Sequence, residues 1–144
     1  MFADFLKRLT EPAPAPLADT DARLALTALL VRIARADNDY SANEKQRIDD
    51  IITARYGLSG AERDALRADA EVLEAEAPDT VRFTRAVKDA IPYDARLGVI
   101  EAMWSVVLAD GQRANEEDAV LRLVANLLGV TDIDSAQARR RIES

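Results

Sequence analysis

Five acidic residues in two short polar segments are the side chains of this sequence best suited to chemistry. The first segment holds Asp37, Asp39 and Glu44, and the second holds Asp110 and Glu117. In both segments the Glu follows the first Asp by seven residues. Carboxylate oxygens are the ligands that hard divalent cations such as Ca²⁺, Mg²⁺ and Mn²⁺ prefer. The two segments therefore predict a divalent-cation site.

The rest of the composition excludes most other chemistry. The 144 residues include no Cys and no His, which rules out disulfides, iron–sulfur clusters, ordinary zinc sites and imidazole bases. The sequence has no nucleophile–base pair, phosphate-binding loop or cofactor fingerprint, so we expect a non-enzymatic protein without an organic cofactor. The formal net charge of −7 argues against nucleic acid as a partner, because phosphate binding needs an excess of Lys and Arg.

A structural interpretation of the same acids stays open beside the metal site. Ser41 and Glu44 have the S-x-x-E spacing of a capping box, which needs no metal. Aspartates are common in turns because they bond the local backbone, and Arg32, Arg35 and Arg113 are candidates for ion pairs with them. The first loop is not an EF-hand, because its glutamate stands at the eighth position rather than the twelfth.

Ligand counting leaves the number of sites open. Ca²⁺ takes about six to eight oxygens, and the second segment keeps only Asp110 and Glu117, so binding is expected either at the first segment or shared by both. Glu116 is a weaker candidate under a shifted alignment of the segments. The two loops lie at opposite ends of the molecule if the helices before them run antiparallel, and they meet if these helices run parallel. The sequence favours neither arrangement.

Helices must position these loops. Apolar residues recur with helical spacing almost throughout, and capping residues, Gly and Pro mark the helix ends. The first and the fifth helix are apolar nearly all round, which is typical of central helices. We predict a single all-α bundle of about seven helices, built from two similar helix–loop–helix units around two central apolar helices. The predicted helices span 21–36, 42–56, 60–75, 79–91, 95–109 and 116–128, and the seventh begins at 131–134 and ends near 142.

The centre of the core is predicted to lie where the two central helices meet. Five residues at equivalent points of these helices are expected to be buried together: Leu30, Ile33, Ile100, Met103 and Trp104. Trp104 and Met103 are interpreted as core residues rather than as part of a ligand pocket, because they lie on an apolar helix.

The start of the chain is predicted to stand apart from the bundle. Residues 1–10 form a short amphipathic segment, residues 11–16 a Pro/Ala linker and residues 17–144 the helical domain. Residues 2–9 offer an apolar face for weak peripheral contact with a membrane or for a partner. The sequence has no apolar run of about 18 residues, so no transmembrane segment is predicted. The first residues do not follow the order of a signal peptide, so we expect a cytoplasmic location.

The two acidic segments belong to an internal repeat. Ala36-Asp37-Asn38 and Ala109-Asp110-Gly111 each follow an apolar helix, and the amphipathic helix after each segment ends in Gly57-Leu58-Ser59 or Gly129-Val130-Thr131. This pattern resembles that of TerB-like domains, the all-helical modules of bacterial tellurite-resistance proteins. The resemblance covers roughly residues 17–142 and departs from the Ala-Asp-Gly pattern at Asn38.

The resemblance implies an accessory module of the bacterial stress response. Such domains are proposed to bind divalent metal through the acidic positions and to work with protein partners, and no enzymatic reaction is implied. They also occur beside the J-domain of some membrane-anchored co-chaperones. The alternative function is a metal-free protein–protein interaction or co-chaperone-associated scaffold, whose acidic loops contact a basic partner.

Overall fold

Seven helices follow one another in the computed structural model, which describes residues 19–36, 40–77, 79–88, 91, 95–109 and 115–143. The helices are α1 Asp19–Ala34, α2 Ala42–Tyr56, α3 Gly60–Glu76, α4 Thr80–Lys88, α5 Arg96–Val107, α6 Asn115–Leu127 and α7 Asp132–Glu143. None of the described residues belongs to a strand. The prediction of an all-α bundle of about seven helices is confirmed.

Two helices end at a glycine, as the sequence predicts. Helix α2 ends at Tyr56 because Gly57 adopts a left-handed conformation with φ of 64°, and Gly129 follows α6 with φ of 80°. Helix α4 is described as far as Lys88, and residues 89–90 of the predicted helix lie outside the described residues. The carbonyl oxygen of Lys88 accepts the N–H of Ile91 at 3.2 Å and Arg96 Nη2 at 3.4 Å. Arg96 Nε donates to the carbonyl oxygen of Ile91 at 3.2 Å, so α5 is tied to the end of α4.

The helix packing repeats itself in the two halves of the chain. The two most extensive helix–helix contacts are those of α1 with α3 and of α5 with α7, which join the first and third helix of each unit. Across the units the contacts are reciprocal, since α1 packs on α6 and α5 packs on α2, while α1 and α5 touch each other. Helix α4 connects the units and packs on α1 and α6. The two-unit arrangement around α1 and α5 is thus confirmed.

The core centres on the two apolar helices. Leu30, Ile33, Ile100 and Met103 are fully buried, and Trp104 is 7% exposed. All five predicted core residues belong to one continuous apolar cluster.

The start of the chain was predicted to form an amphipathic segment at 1–10 and a linker at 11–16. Both lie outside the described residues. None of the helices described here combines the length and the apolar character that a bilayer span requires.

Candidate functional site

The first acidic loop leads into a capping box at the start of α2. The Oγ atom of Ser41 accepts the N–H of Glu44 at 3.1 Å, and Oε1 of Glu44 accepts the N–H of Ser41 at 3.0 Å. Glu44 is only 1% exposed. Asp37 and Asp39 lie outside the described residues. The capping interpretation of Glu44 is therefore correct, and its carboxylate is also buried.

A second capping box at the start of α3 serves as a reference. Ser59 and Glu62 exchange the same two hydrogen bonds at 3.2 and 2.9 Å, yet Glu62 is exposed. Hydrogen bonding with the backbone and the hydroxyl group of Ser59 lowers the pKa of the Glu62 carboxyl. Because the same motif works at the surface, capping alone does not require the burial of Glu44.

Ion pairs fix the end of α1, where the chain enters the first loop. Arg32 Nε and Arg35 Nη1 donate to the two oxygens of the Glu74 carboxylate at 2.9 and 2.7 Å. The same arginines also donate to the backbone carbonyls of Glu74 and Glu71 on α3. The ion pairs predicted for these arginines were with the loop acids, whereas the partner found is Glu74 on α3. Asp37, Asp39 and Arg113 lie outside the described residues.

A second set of ion pairs joins α2 to α3 beside the same loop. Arg67 Nε donates to Asp49 Oδ1 at 2.7 Å, and Arg67 Nη1 donates to Glu71 Oε2 at 3.3 Å. Asp49 is buried and Arg67 is mostly buried. Charge-assisted bonds of this kind are directional and hold the two helices in one register.

Tyr40, the first described residue after the loop, lies between two cations. The Arg35 guanidinium carbon is 5.2 Å and the Lys45 ammonium nitrogen 4.8 Å from the centroid of its ring. Burial raises the pKa of the Tyr40 phenol, and the nearby Glu71 carboxylate raises it further. The phenol is therefore neutral at physiological pH.

The second acidic loop is described only at its edges. Asp110 lies outside the described residues, and Glu117 belongs to α6 with its side chain outside the description. At the end of α5, Leu108 N–H donates to Trp104 O at 2.9 Å and Ala109 N–H donates to Val106 O at 3.2 Å. These bonds end the helix directly before the loop.

One long-range hydrogen bond relates the two loops to each other. Arg47 Nη1 donates to Ser105 Oγ at 2.9 Å. Arg47 lies within one turn of Glu44, near the start of α2, and Ser105 lies in the last turn of α5. The hydrogen bond therefore joins the helix that follows the first loop to the helix that precedes the second.

The family model described as tellurite resistance protein TerB matches residues 23–140. The chain belongs to the TerB family. The match runs from α1 into α7 and so includes both units, which confirms the resemblance carried by the repeated acidic segments. Searches of curated proteins and of solved structures find no match.

The metal site of this TerB domain stays a prediction. The part of the chain that the structure describes contains no group of three acids placed to hold a metal ion. Of the five candidate ligands, however, only Glu44 has a described side chain. Sequence reasoning missed Arg47, Ser105 and Glu74, because no local pattern marks a hydrogen bond between residues tens of positions apart.

Proposed function

We propose that this TerB domain is a non-enzymatic accessory module of the bacterial stress response. In this proposal the acidic inter-helix loops bind Ca²⁺, Mg²⁺ or Mn²⁺, and the module acts through protein partners in the cytoplasm. Family membership supports the tellurite-resistance type of the domain. The absence of Cys and His from the sequence supports an oxygen-ligand site over a site for softer metals.

The two loops share one cation in this proposal. The Arg47–Ser105 hydrogen bond supports sharing, because it brings together the end of the first loop and the beginning of the second. Neither loop alone carries enough carboxylates for the about six to eight oxygens that Ca²⁺ takes. Asp37, Asp39, Glu44, Asp110 and Glu117 together, completed by carbonyls or water, approach that number.

Family membership is the observation that carries the proposal furthest, because the matched region, residues 23–140, spans both acidic loops. Glu44 is the candidate ligand whose side chain is described, and it is buried with both bonds of its capping box formed. The exposed Glu62 makes the same capping bonds, so a comparison of the two residues separates a ligand role from a capping role.

Thermal melting of metal-stripped protein, with and without each cation, tests the proposal. A cation that binds only the folded state at about 100 times its Kd adds about 2.7 kcal/mol to the free energy of unfolding. For a chain of this size, that corresponds to a rise in Tm of roughly 5–10 °C. We expect this rise with Ca²⁺, Mg²⁺ or Mn²⁺.

Glu44→Gln and Glu62→Gln form a matched pair of variants. Gln still serves as the third helical residue of a capping box, so both variants should melt near the wild type without metal. With the cation, Glu44→Gln should lose the rise in Tm while Glu62→Gln retains it. Glu117→Gln should reduce the rise if the site is shared. A full rise in Glu44→Gln, or a loss in Glu62→Gln of the same size, contradicts the assignment.

The second candidate function is a metal-free scaffold whose acidic loops contact a basic protein. The complete capping box of Glu44 favours it, because this structural role of the carboxylate needs no metal. The same melting experiment separates the two functions. If no cation changes Tm and a basic partner binds the wild type but not a variant with neutralised loops, the scaffold function replaces the metal-binding one.

A further inference from the structure

A cleft of about 160 Å³ lies between α5, α6 and α7, on the second unit of the repeat. Trp104 lines it, and the indole Nε1–H donates to Ser135 Oγ at 3.0 Å. The guanidinium carbon of Arg139 stands 5.3 Å from the centroid of the same ring. The charged residues that line the cleft are Asp118, Arg122, Asp132 and Arg139. Two positive and two negative side chains thus surround one aromatic wall.

The first unit shows why the second contains this cleft. Asp49 and Arg67 are the eighth residues of α2 and α3, and their side chains form an ion pair of 2.7 Å between these helices. The eighth residues of α6 and α7 are Arg122 and Arg139. Two guanidinium groups repel each other, so the ion pair that joins the helices of the first unit has no counterpart at these positions.

The second arginine otherwise resembles its counterpart closely. Arg67 pairs with Glu71 four residues later, and Arg139 pairs with Glu143 four residues later, at 3.3 and 2.7 Å. The facing helices differ in the order of their charges, because the fourth and eighth residues are Lys45 and Asp49 in α2 but Asp118 and Arg122 in α6. The exchange leaves a guanidinium group at both eighth positions, where a carboxylate from outside would meet Arg122 and Arg139.

We propose that this cleft binds a small amino acid as its zwitterion. The ligand carboxylate would lie between Arg122 and Arg139, in the role that the Asp49 carboxylate plays in the first unit. The ligand ammonium group would lie against Asp118 and Asp132. Because the lining carries both signs of charge, and Glu143 adds a further carboxylate beside Arg139, a simple anion gains less there than a ligand that carries both charges.

The size of the cleft limits the ligand. An apolar cavity of about 150 Å³ accommodates a molecule the size of benzene, so this cleft suits a ligand of roughly six non-hydrogen atoms. L-alanine has this size. Ligands this small bind weakly, and we expect a Kd on the order of 1 mM. The site lies outside the acidic loops, so the proposal does not depend on metal binding.

The indole N–H of Trp104 gives a direct readout, because the sequence contains one Trp. The test titrates the full chain with L-alanine at constant ionic strength and follows the ¹H–¹⁵N resonance of this group. L-lactate and L-alaninamide are matched probes of the same size, in which the ammonium or the carboxylate is replaced by a neutral group. We expect a saturable shift with L-alanine and at least about tenfold weaker binding of the other two.

Variants at Arg122 test the assignment at the level of the residue. Arg122→Gln should abolish the L-alanine shift, while Arg140→Gln, an exposed position on α7 outside the cleft, should retain it. Arg122→Asp places at the eighth position of α6 the residue that α2 has there. It should also abolish the shift, because Asp at this position pairs with Arg139 and repels the ligand carboxylate.

Three results overturn the proposal. The first is the absence of a saturable shift with L-alanine up to about 50 times the expected Kd. The second is binding of L-lactate or L-alaninamide as tight as that of L-alanine, since this shows a site for a single charge. The third is an unchanged L-alanine shift in a folded Arg122→Asp variant.

Discussion

Removal of the Glu74 carboxylate should destabilise the fold at the entrance to the first acidic loop. Glu74 accepts from Arg32 on one oxygen and from Arg35 on the other, so Glu74→Ala leaves two guanidinium groups without this partner. The side chains of Arg32 and Glu74 are each 12% exposed, whereas that of Arg35 is 34% exposed. The first pair is therefore close to a buried ion pair, and water partly screens the second.

The magnitude follows from this difference in exposure. Removing one member of a buried ion pair costs about 3–5 kcal/mol, and an exposed pair contributes about 0.2–1 kcal/mol. With one pair largely buried and the other partly exposed, we expect Glu74→Ala to lower the free energy of unfolding by about 2–4 kcal/mol. The corresponding fall in Tm is roughly 6–12 °C for a domain of this size.

Urea denaturation at neutral pH measures this loss. Glu76→Ala is the matched control, because Glu76 is an exposed residue in the last turn of the same helix, and it should change stability by no more than about 0.5 kcal/mol. The loss in Glu74→Ala should also persist at high salt, since buried pairs are screened little. Equal effects of the two variants, or a loss that vanishes in 1 M salt, would refute the reasoning.

Two further predictions concern a core residue and a pH effect. Trp104→Ala should lower the free energy of unfolding by about 3–5 kcal/mol, because Trp104 is 7% exposed and belongs to the core cluster. A solvent-like fluorescence maximum of the native protein would contradict this burial. The raised pKa of Tyr40 makes the free energy of unfolding fall as pH rises above about 10, because the unfolded chain releases the phenolic proton first. Tyr40→Phe should flatten this decline in urea titrations between about pH 9 and 11, and identical slopes for variant and wild type would exclude the effect.

Much of the fold was predictable because its signals are local. The boundaries of α2 follow from Ser41 and Glu44 at one end and Gly57 at the other, and all of these act on the backbone within about one turn. The apolar circumference of α1 and α5 identified the two central helices. The contact of Arg96 with the carbonyl oxygen of Lys88 could not be predicted, because it joins residues of different helices.

For the candidate site, the sequence could propose the residues but not their burial or their arrangement. The repeat identified the acidic positions as candidate ligands, and that assignment stays a prediction, while the family match over residues 23–140 shows the domain in which they lie. The sequence could not distinguish Glu44 from Glu62, although the same capping box is buried in one case and exposed in the other. Burial depends on which helices cover a residue, and no pattern within a few residues encodes that.

The sequence by itself therefore determined the helices, the two-unit repeat and the types of chemistry open to this protein, since these depend on composition and on interactions within a turn or two. The tertiary structure decided which distant residues meet. The Arg47–Ser105 hydrogen bond joins α2 to α5, and the second unit has a cleft where the first has the Asp49–Arg67 ion pair. Helix direction and packing determine these contacts, and both depend on how whole apolar faces fit together.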